Sequence, residues 1–264
     1  MARPTEILLM AGLLAACGIK DGAQIARPRQ TGSAQAERGY LAPPALLSAS
    51  RYAGGRLVLL GRGDPGSRIR MATPAGQAAF ARTDARGFWR MVIPGAAEVR
   101  LFGLSMSQGP RTIQAQGYLA GTPGGEFAQL RAGAGALATP GTGSGLRVSA
   151  IDFDAQGATV VSGFGAPSQA VVVAVDGDAR GGALADAVGR FTMGLEPLSP
   201  GDHRVTVVQG AARAQAMAGV SPAGPLAGGP FQAQRTASGW RIDWLTPGGG
   251  IQTTLLLTSR KATS

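Results

Sequence analysis

The chain has 264 residues, room for two small domains rather than one large one, and a single cysteine, Cys17, so no disulfide forms within it and stability has to come from packed apolar cores. The formal charge of +10 rests almost wholly on arginine amid abundant alanine and glycine, with lysine only at Lys20 and Lys261; this is the bias of a GC-rich coding sequence, and no nucleic-acid partner is expected from it. One histidine, His203, and no Gly-x-Ser-x-Gly elbow argue against hydrolytic chemistry, so the chain reads as no enzyme, with no catalytic residue, no cofactor and no metal.

Residues 1–16 combine a weakly positive start, Arg3 and the α-amino group, with an apolar run from Ile7 to Ala16. That run is too short to span a bilayer, which takes about 20 apolar residues. It ends in Leu14-Ala15-Ala16-Cys17, which resembles the lipobox of bacterial lipoproteins. The resemblance implies a signal peptide, helical before cleavage, that is cut in front of Cys17, with diacylglycerol on the Cys17 thiol and an acyl chain on the new amino group. Acyl chains of that number anchor a protein stably. Gly18 stands where many inner-membrane lipoproteins carry Asp, so the resemblance implies an outer-membrane protein, on the periplasmic side rather than the cell surface. Residues 17–39 are polar and without periodicity and are expected to be a lipidated flexible tether.

The next stretch is repeated. Val58 to Ile93 matches Val160 to Leu195 without a gap at an offset of 102 (163 − 61), placing Gly61, Gly63 and Pro65 on Gly163, Gly165 and Pro167. Asp84, Gly87, Trp89 and Met91 fall on Asp186, Gly189, Phe191 and Met193. Short runs rich in Val, Ile, Leu and aromatics lie between Gly, Pro, Asp and Ser turns, which predicts strands over Arg56–Leu60, Arg68–Thr73, Phe88–Ile93, Ala170–Val175 and Arg204–Val208. No helix is predicted after Cys17.

Both units, through Gly61-Arg62-Gly63-Asp64-Pro65 with Asp84-Ala85-Arg86-Gly87-Phe88-Trp89 and Gly163-Phe164-Gly165-Ala166-Pro167 with Asp186-Ala187-Val188-Gly189-Arg190-Phe191, resemble bacterial immunoglobulin-like modules. The second, through Pro200-Gly201-Asp202-His203-Arg204-Val205, is also similar to the carboxypeptidase regulatory-like domain. Either resemblance implies a β-sandwich of seven strands, so the fold class is all-β, with two tandem immunoglobulin-like sandwiches. The first, basic sandwich is expected over 40–120 and the second over 146–218. Between them, 121–145 reads as a Gly/Ala/Pro linker, and 219–230 as a second linker. A C-terminal β meander and tail occupies 231–264, with Trp240, Ile242 and Trp244 on one face by period-two alternation. Such a meander cannot stand alone in water, so that face must pack on a domain or on a partner.

Charge is divided unequally. From 40 to 120 there are ten arginines against Asp64, Asp84 and Glu98 (10 − 3 = +7), and from 145 to 220 five arginines against seven acids (5 − 7 = −2). With Ile69, Met71, Trp89 and Met91 inward, alternation turns Arg68, Arg70, Phe88 and Arg90 outward, and Phe80 and Arg82 join them if their strand keeps register. The matching positions of the second repeat are mostly uncharged, so the fold does not require this basic face. It is the candidate binding site, for an anionic envelope polymer or lipid headgroups. Three other motifs are assigned to the fold: Arg62-Gly63-Asp64 is part of the repeated turn, Asp152/Asp154 and Asp176/Asp178 supply too few oxygens for calcium, and His203 sits in a surface turn. The function expected is that of a non-catalytic binding, spacer or assembly module held to the membrane by its lipid anchor, with an envelope protein as a possible partner. An outward-facing adhesin or matrix anchor, and a carbohydrate-binding accessory protein, are the alternatives.

Overall fold

In a computed structural model describing residues 41–140 and 145–258, every extended element is a β-strand and no α-helix occurs among the described residues. The first repeat contributes β1 (Ala45–Arg51), β2 (Leu57–Arg62), β3 (Arg68–Ala72), β4 (Ala78–Arg82), β5 (Phe88–Ile93), β6 (Arg100–Gln108) and β7 (Arg111–Gln114). They form two sheets, β1-β2-β5 and β4-β3-β6-β7, antiparallel throughout. Period-two alternation sends Leu57, Leu59, Trp89, Met91 and Ile93 of one sheet, and Ile69, Met71, Leu104 and Met106 of the other, into a shared core.

The chain does not then enter a linker. Residues 121–145 are expected to be one, yet β8 (Tyr118–Gly121), β9 (Phe127–Leu130) and β10 (Leu137–Ala138) extend the second sheet beyond β6, with Phe127, Ala128, Leu130 and Ala136 buried. Gly124 and Gly125 are turn residues, not signs of a loose chain: Thr122-Pro123-Gly124-Gly125 closes the β8–β9 hairpin, the Gly125 N–H donating to Thr122 O at 3.0 Å. Gly/Ala/Pro composition hides these strands because alanines, Ala120 in β8, Ala128 in β9 and Ala138 in β10, stand on the face turned to another sheet.

The second repeat contributes β11 (Arg147–Asp154), β12 (Thr159–Phe164), β13 (Ala170–Val175), β14 (Asp178–Leu184), β15 (Arg190–Leu195), β16 (Gly201–Gln209) and β17 (Ala212–Val220). Its sheets, β15-β12-β11 and β14-β13-β16-β17, reproduce those of the first around a core that includes Ile151, Phe153, Val161, Val173, Phe191 and Val207. The correspondence is atomic. A register shift lies between Leu46 and Ser48 in β1 and, 102 residues on, between Val148 and Ala150 in β11. Gly61 pairs with Trp89, and Gly163 with Phe191, and a Cβ on either glycine would lie 2.1 or 2.4 Å from the facing ring. Asp84 Oδ1 accepts from the N–H of Arg86 and Phe88, and Asp186 Oδ1 from Val188 and Arg190; Asp154 does the same for Gln156 and Ala158. Asp154 therefore closes an Asx-type turn.

The C-terminal meander is β18 (Phe231–Arg235), β19 (Gly239–Leu245) and β20 (Ile251–Leu257). It is part of the second sandwich: β20 pairs with β11, making a six-stranded sheet β15-β12-β11-β20-β19-β18. One face of that sheet looks into the second sandwich. The other looks onto β8–β10, and between them lies a third core of Leu101, Ala120, Leu130, Ala150, Ile242 and Trp244, with Tyr118 and Trp240 at its margin. The Trp240-Ile242-Trp244 face is thus turned inward, Trp244 meeting the Tyr118 ring edge-on at 5.9 Å and donating from Nε1 to Thr254 Oγ1 at 3.1 Å.

Four sheets and three cores consequently make one packed unit of residues 41–258. A buried acid is set in the third core. Asp152 accepts from Ala136 N at 2.7 Å, from the Thr254 hydroxyl and from Gln252 Nε2, which ties the 131–136 turn to the second sandwich. Burial pushes its carboxyl up to about 6, against the lowering effect of those donors and of Arg131 nearby.

Candidate functional site

Cross-strand register builds the site. Four strands of the first sandwich line up two rows on the outer face of one sheet: Arg82, Arg68, Ser107 and Thr112 in one, Phe80, Arg70, Ser105 and Gln114 in the next. Their partners in alternation, Ile69 and Met71, are buried, so the rows face outward, and Arg68, Arg70, Phe80 and Arg82 are exposed. Every polar side chain in the two rows is a hydrogen-bond donor. The Arg68 guanidinium lies over the Phe80 ring at 4.2 Å, and Ser107 Oγ meets Thr112 Oγ1 at 3.2 Å.

Arg68 stands directly opposite Arg82, a like-charge pair that costs stability in an antiparallel ladder. The seven strands of this sandwich contain no acidic residue, and the ion pairs of His203 with Asp176 and of Arg241 with Asp243 lie elsewhere. The second repeat has Ala170, Val172, Gly182 and Leu184 at the equivalent positions.

Phe88 and Arg90 do not belong to these rows. They are exposed as expected, but they lie on β5, in the other sheet, whose outer face looks away from the first. Alternation reports which side chains leave the core and is silent on which of two sheets carries them. Between β4 and β5 the chain crosses sheets at Thr83, whose buried hydroxyl accepts from Ser67 N at 2.8 Å and donates to Asp64 O at 2.5 Å. On the β1-β2-β5 face, Phe88 stands opposite Arg62 and Arg90 opposite Leu60. Arg62 covers the Phe88 ring at 4.7 Å, while Arg56 and Arg90 approach Tyr52 at 5.1 and 6.0 Å. Sequence reasoning passed over Tyr52, Arg56, Leu60 and Arg62; the two-residue step from buried Leu59 to outward Leu60 and Arg62 on β2 was the available signal.

Other candidates have structural duties. Trp89 is buried and donates from Nε1 to Arg62 O at 3.0 Å, a core residue as expected. Gly63 of the Arg62-Gly63-Asp64 turn donates to Gly87 O at 2.9 Å, and Gly165 to Gly189 O at 2.8 Å. His203 Nδ1 lies 2.7 Å from Asp176 Oδ2, which raises the histidine above its usual value, while the Arg204 N–H and His203 lower Asp176. Among the described residues no group of three His, Cys, Asp or Glu is placed to hold a metal ion. An open cleft of about 390 Å³ between Arg51, Gly54, Arg56, Pro94 and Pro123 has its main cation engaged, since Arg51 donates to the carbonyls of Pro123 and Gly124. Cys17 and the tether lie outside the described residues.

No family model matches the chain, and no curated protein does. Solved structures with some likeness include the BSP domain of a biofilm-associated protein (TM-score 0.24, 12% identity, 70% of this chain and 30% of that one) and the D0–D1 domain of intimin (0.24, 12%, 67% and 97%). A central fibronectin-III array of RIM-binding protein gives a TM-score of 0.28 at 14% identity, over 81% of this chain and 89% of that one. The chain thus spans about 30% of the length of the biofilm-associated structure.

Proposed function

We propose that the protein is a non-catalytic cell-envelope module, held at the periplasmic side of the outer membrane by acyl chains on Cys17, that binds an anionic envelope polymer through Arg68, Arg70 and Arg82. The observation that carries the reading is the outward pair of rows on β4-β3-β6-β7. Three guanidiniums, with Ser107 and Thr112 beside them, form a donor surface about 14 Å across, at about 4.8 Å per strand. A surface of this kind suits a repeating array of carboxylates or phosphates, which guanidinium grips with two parallel hydrogen bonds. The facing arginines Arg68 and Arg82 cost stability in the free protein, and a bound polyanion removes that repulsion.

The test is retention on isolated envelope material. Wild-type protein is expected to bind at low ionic strength and to elute as salt rises, since exposed charges are screened. Arg68→Glu/Arg70→Glu/Arg82→Glu is expected to lose most of that retention while keeping a wild-type circular dichroism spectrum. Equal retention of the triple variant would refute the reading. Protease added to intact cells tests the orientation: the protein is expected to be protected until the outer membrane is permeabilised.

A further inference from the structure

The two repeats differ in what covers the outer face of their three-stranded sheets. In the second repeat the face of β15-β12-β11 is occupied by the first repeat's extension: a Cβ on Gly135 would lie 2.6 Å from Val160, 2.9 Å from Ser162 Oγ and 3.3 Å from Thr192, and Ala150 is fully buried. The side chains receiving that extension are small, which lets backbone approach backbone. Shifted by 102 residues, the same positions on β1-β2-β5 are Ser48 for Ala150, Leu60 for Ser162 and Arg90 for Thr192, flanked by Arg62 and Phe88. Val58, for Val160, is buried, while Leu60, Phe88 and Tyr52 are 43%, 43% and 48% exposed.

We propose that this face rests on the headgroup layer of an anionic bilayer. The long side chains that replace the small ones suit an interface that is half apolar and half charged rather than a second protein sheet. Leu60, Phe88 and Tyr52 supply apolar and aromatic surface, of which aromatic rings favour the headgroup level. Arg56, Arg62 and Arg90 lie over or beside those rings, so their stems stay on apolar surface while their heads reach phosphate. Strands β1, β2 and β5 contain no acidic residue to oppose the contact. The first residue of β1, Ala45, follows Cys17 by 28 positions (45 − 17). The inference rests on the envelope reading above and adds a second surface to it: one sheet of the first sandwich faces lipid, and the other faces polymer.

The experiment is co-sedimentation of the full chain carrying Cys17→Ser, so that no acyl chain contributes, with phosphatidylcholine vesicles and with vesicles half phosphatidylglycerol. Binding is expected on the anionic vesicles, well above that on the zwitterionic ones. Each guanidinium near an anionic surface is worth roughly fivefold in partition, so adding Arg62→Glu/Arg90→Glu is expected to weaken binding at least about 30-fold. Phe88→Ser/Leu60→Ser is expected to weaken it at unchanged charge, and Arg68→Glu/Arg70→Glu/Arg82→Glu to leave most of it. Equal binding of Arg62→Glu/Arg90→Glu and its parent overturns the proposal, as does absence of preference for anionic vesicles. A photoreactive side chain at position 60 that forms adducts with protein instead of lipid in cells overturns it in favour of a protein partner. Failure here leaves Cys17 anchoring and polymer retention standing, because neither is measured; failure of the anchor appears separately, as wild-type protein that takes up no labelled acyl chain.

Discussion

At the scale of single residues, the repeat is a set of close approaches. Gly163 leaves room for the Phe191 ring on the facing strand, and an added methyl would meet both that ring, at 2.4 Å, and the Arg147 carbonyl, at 2.2 Å. Gly163→Ala is therefore expected to lower unfolding free energy by about 2–3 kcal/mol in chemical denaturation. Gly194→Ala, in the neighbouring strand with open space around it, should change it by less than about 0.5 kcal/mol. Asp152 adds a pH dependence. Its native carboxyl binds a proton more tightly than in the unfolded chain, about 6 against 3.8, so this group's contribution is fully present below about pH 4 and is lost as pH rises through 6. Urea titrations at pH 4.5 and 7.5 should show Asp152→Asn removing about 2 kcal/mol from whatever difference favours the lower pH in the wild type.

Elements show how much of the fold was legible. The Gly-x-Gly-x-Pro and Asp-x-x-Gly turns located both sandwiches and their inward residues, because a turn that needs a positive φ and a ring that needs a glycine opposite it leave marks at fixed spacing. Strands β8 to β10 left none, since alanine and glycine packed against another sheet look like linker composition. The meander was legible through Trp240, Ile242 and Trp244, and its partner was not, because that partner is the alanine-rich stretch. Trp244 belongs to the third core, which joins the two sandwiches, and Trp244→Ala is expected to cost about 3–5 kcal/mol. It should also turn a single calorimetric unfolding transition into two, as each sandwich then melts on its own core. One shared transition at lower temperature would mean that the third core is not what couples them.

Over the whole molecule, the two sandwiches have the same plan and different surfaces. The first carries outward arginines on both of its sheets and no acid in its seven strands; the second buries one outer face under its neighbour and places Ala170, Val172 and Leu184 where the first has Arg68, Arg70 and Arg82. The arginines of the candidate site were readable from alternation, while their division between two sheets needed the topology. On the function proposed above, the protein would be held at the envelope in two ways, by acyl chains whose hold is insensitive to salt and by arginine faces whose hold is not. Fractionation of cells carrying Cys17→Ser, with membranes washed at low and at high salt, separates the two contributions in one measurement. The account predicts that wild-type protein stays with the membrane at both salt concentrations and leaves only in detergent, whereas Cys17→Ser stays in part at low salt and is released at high salt. Retention of Cys17→Ser through the high-salt wash, or release of the wild type by salt alone, would contradict it.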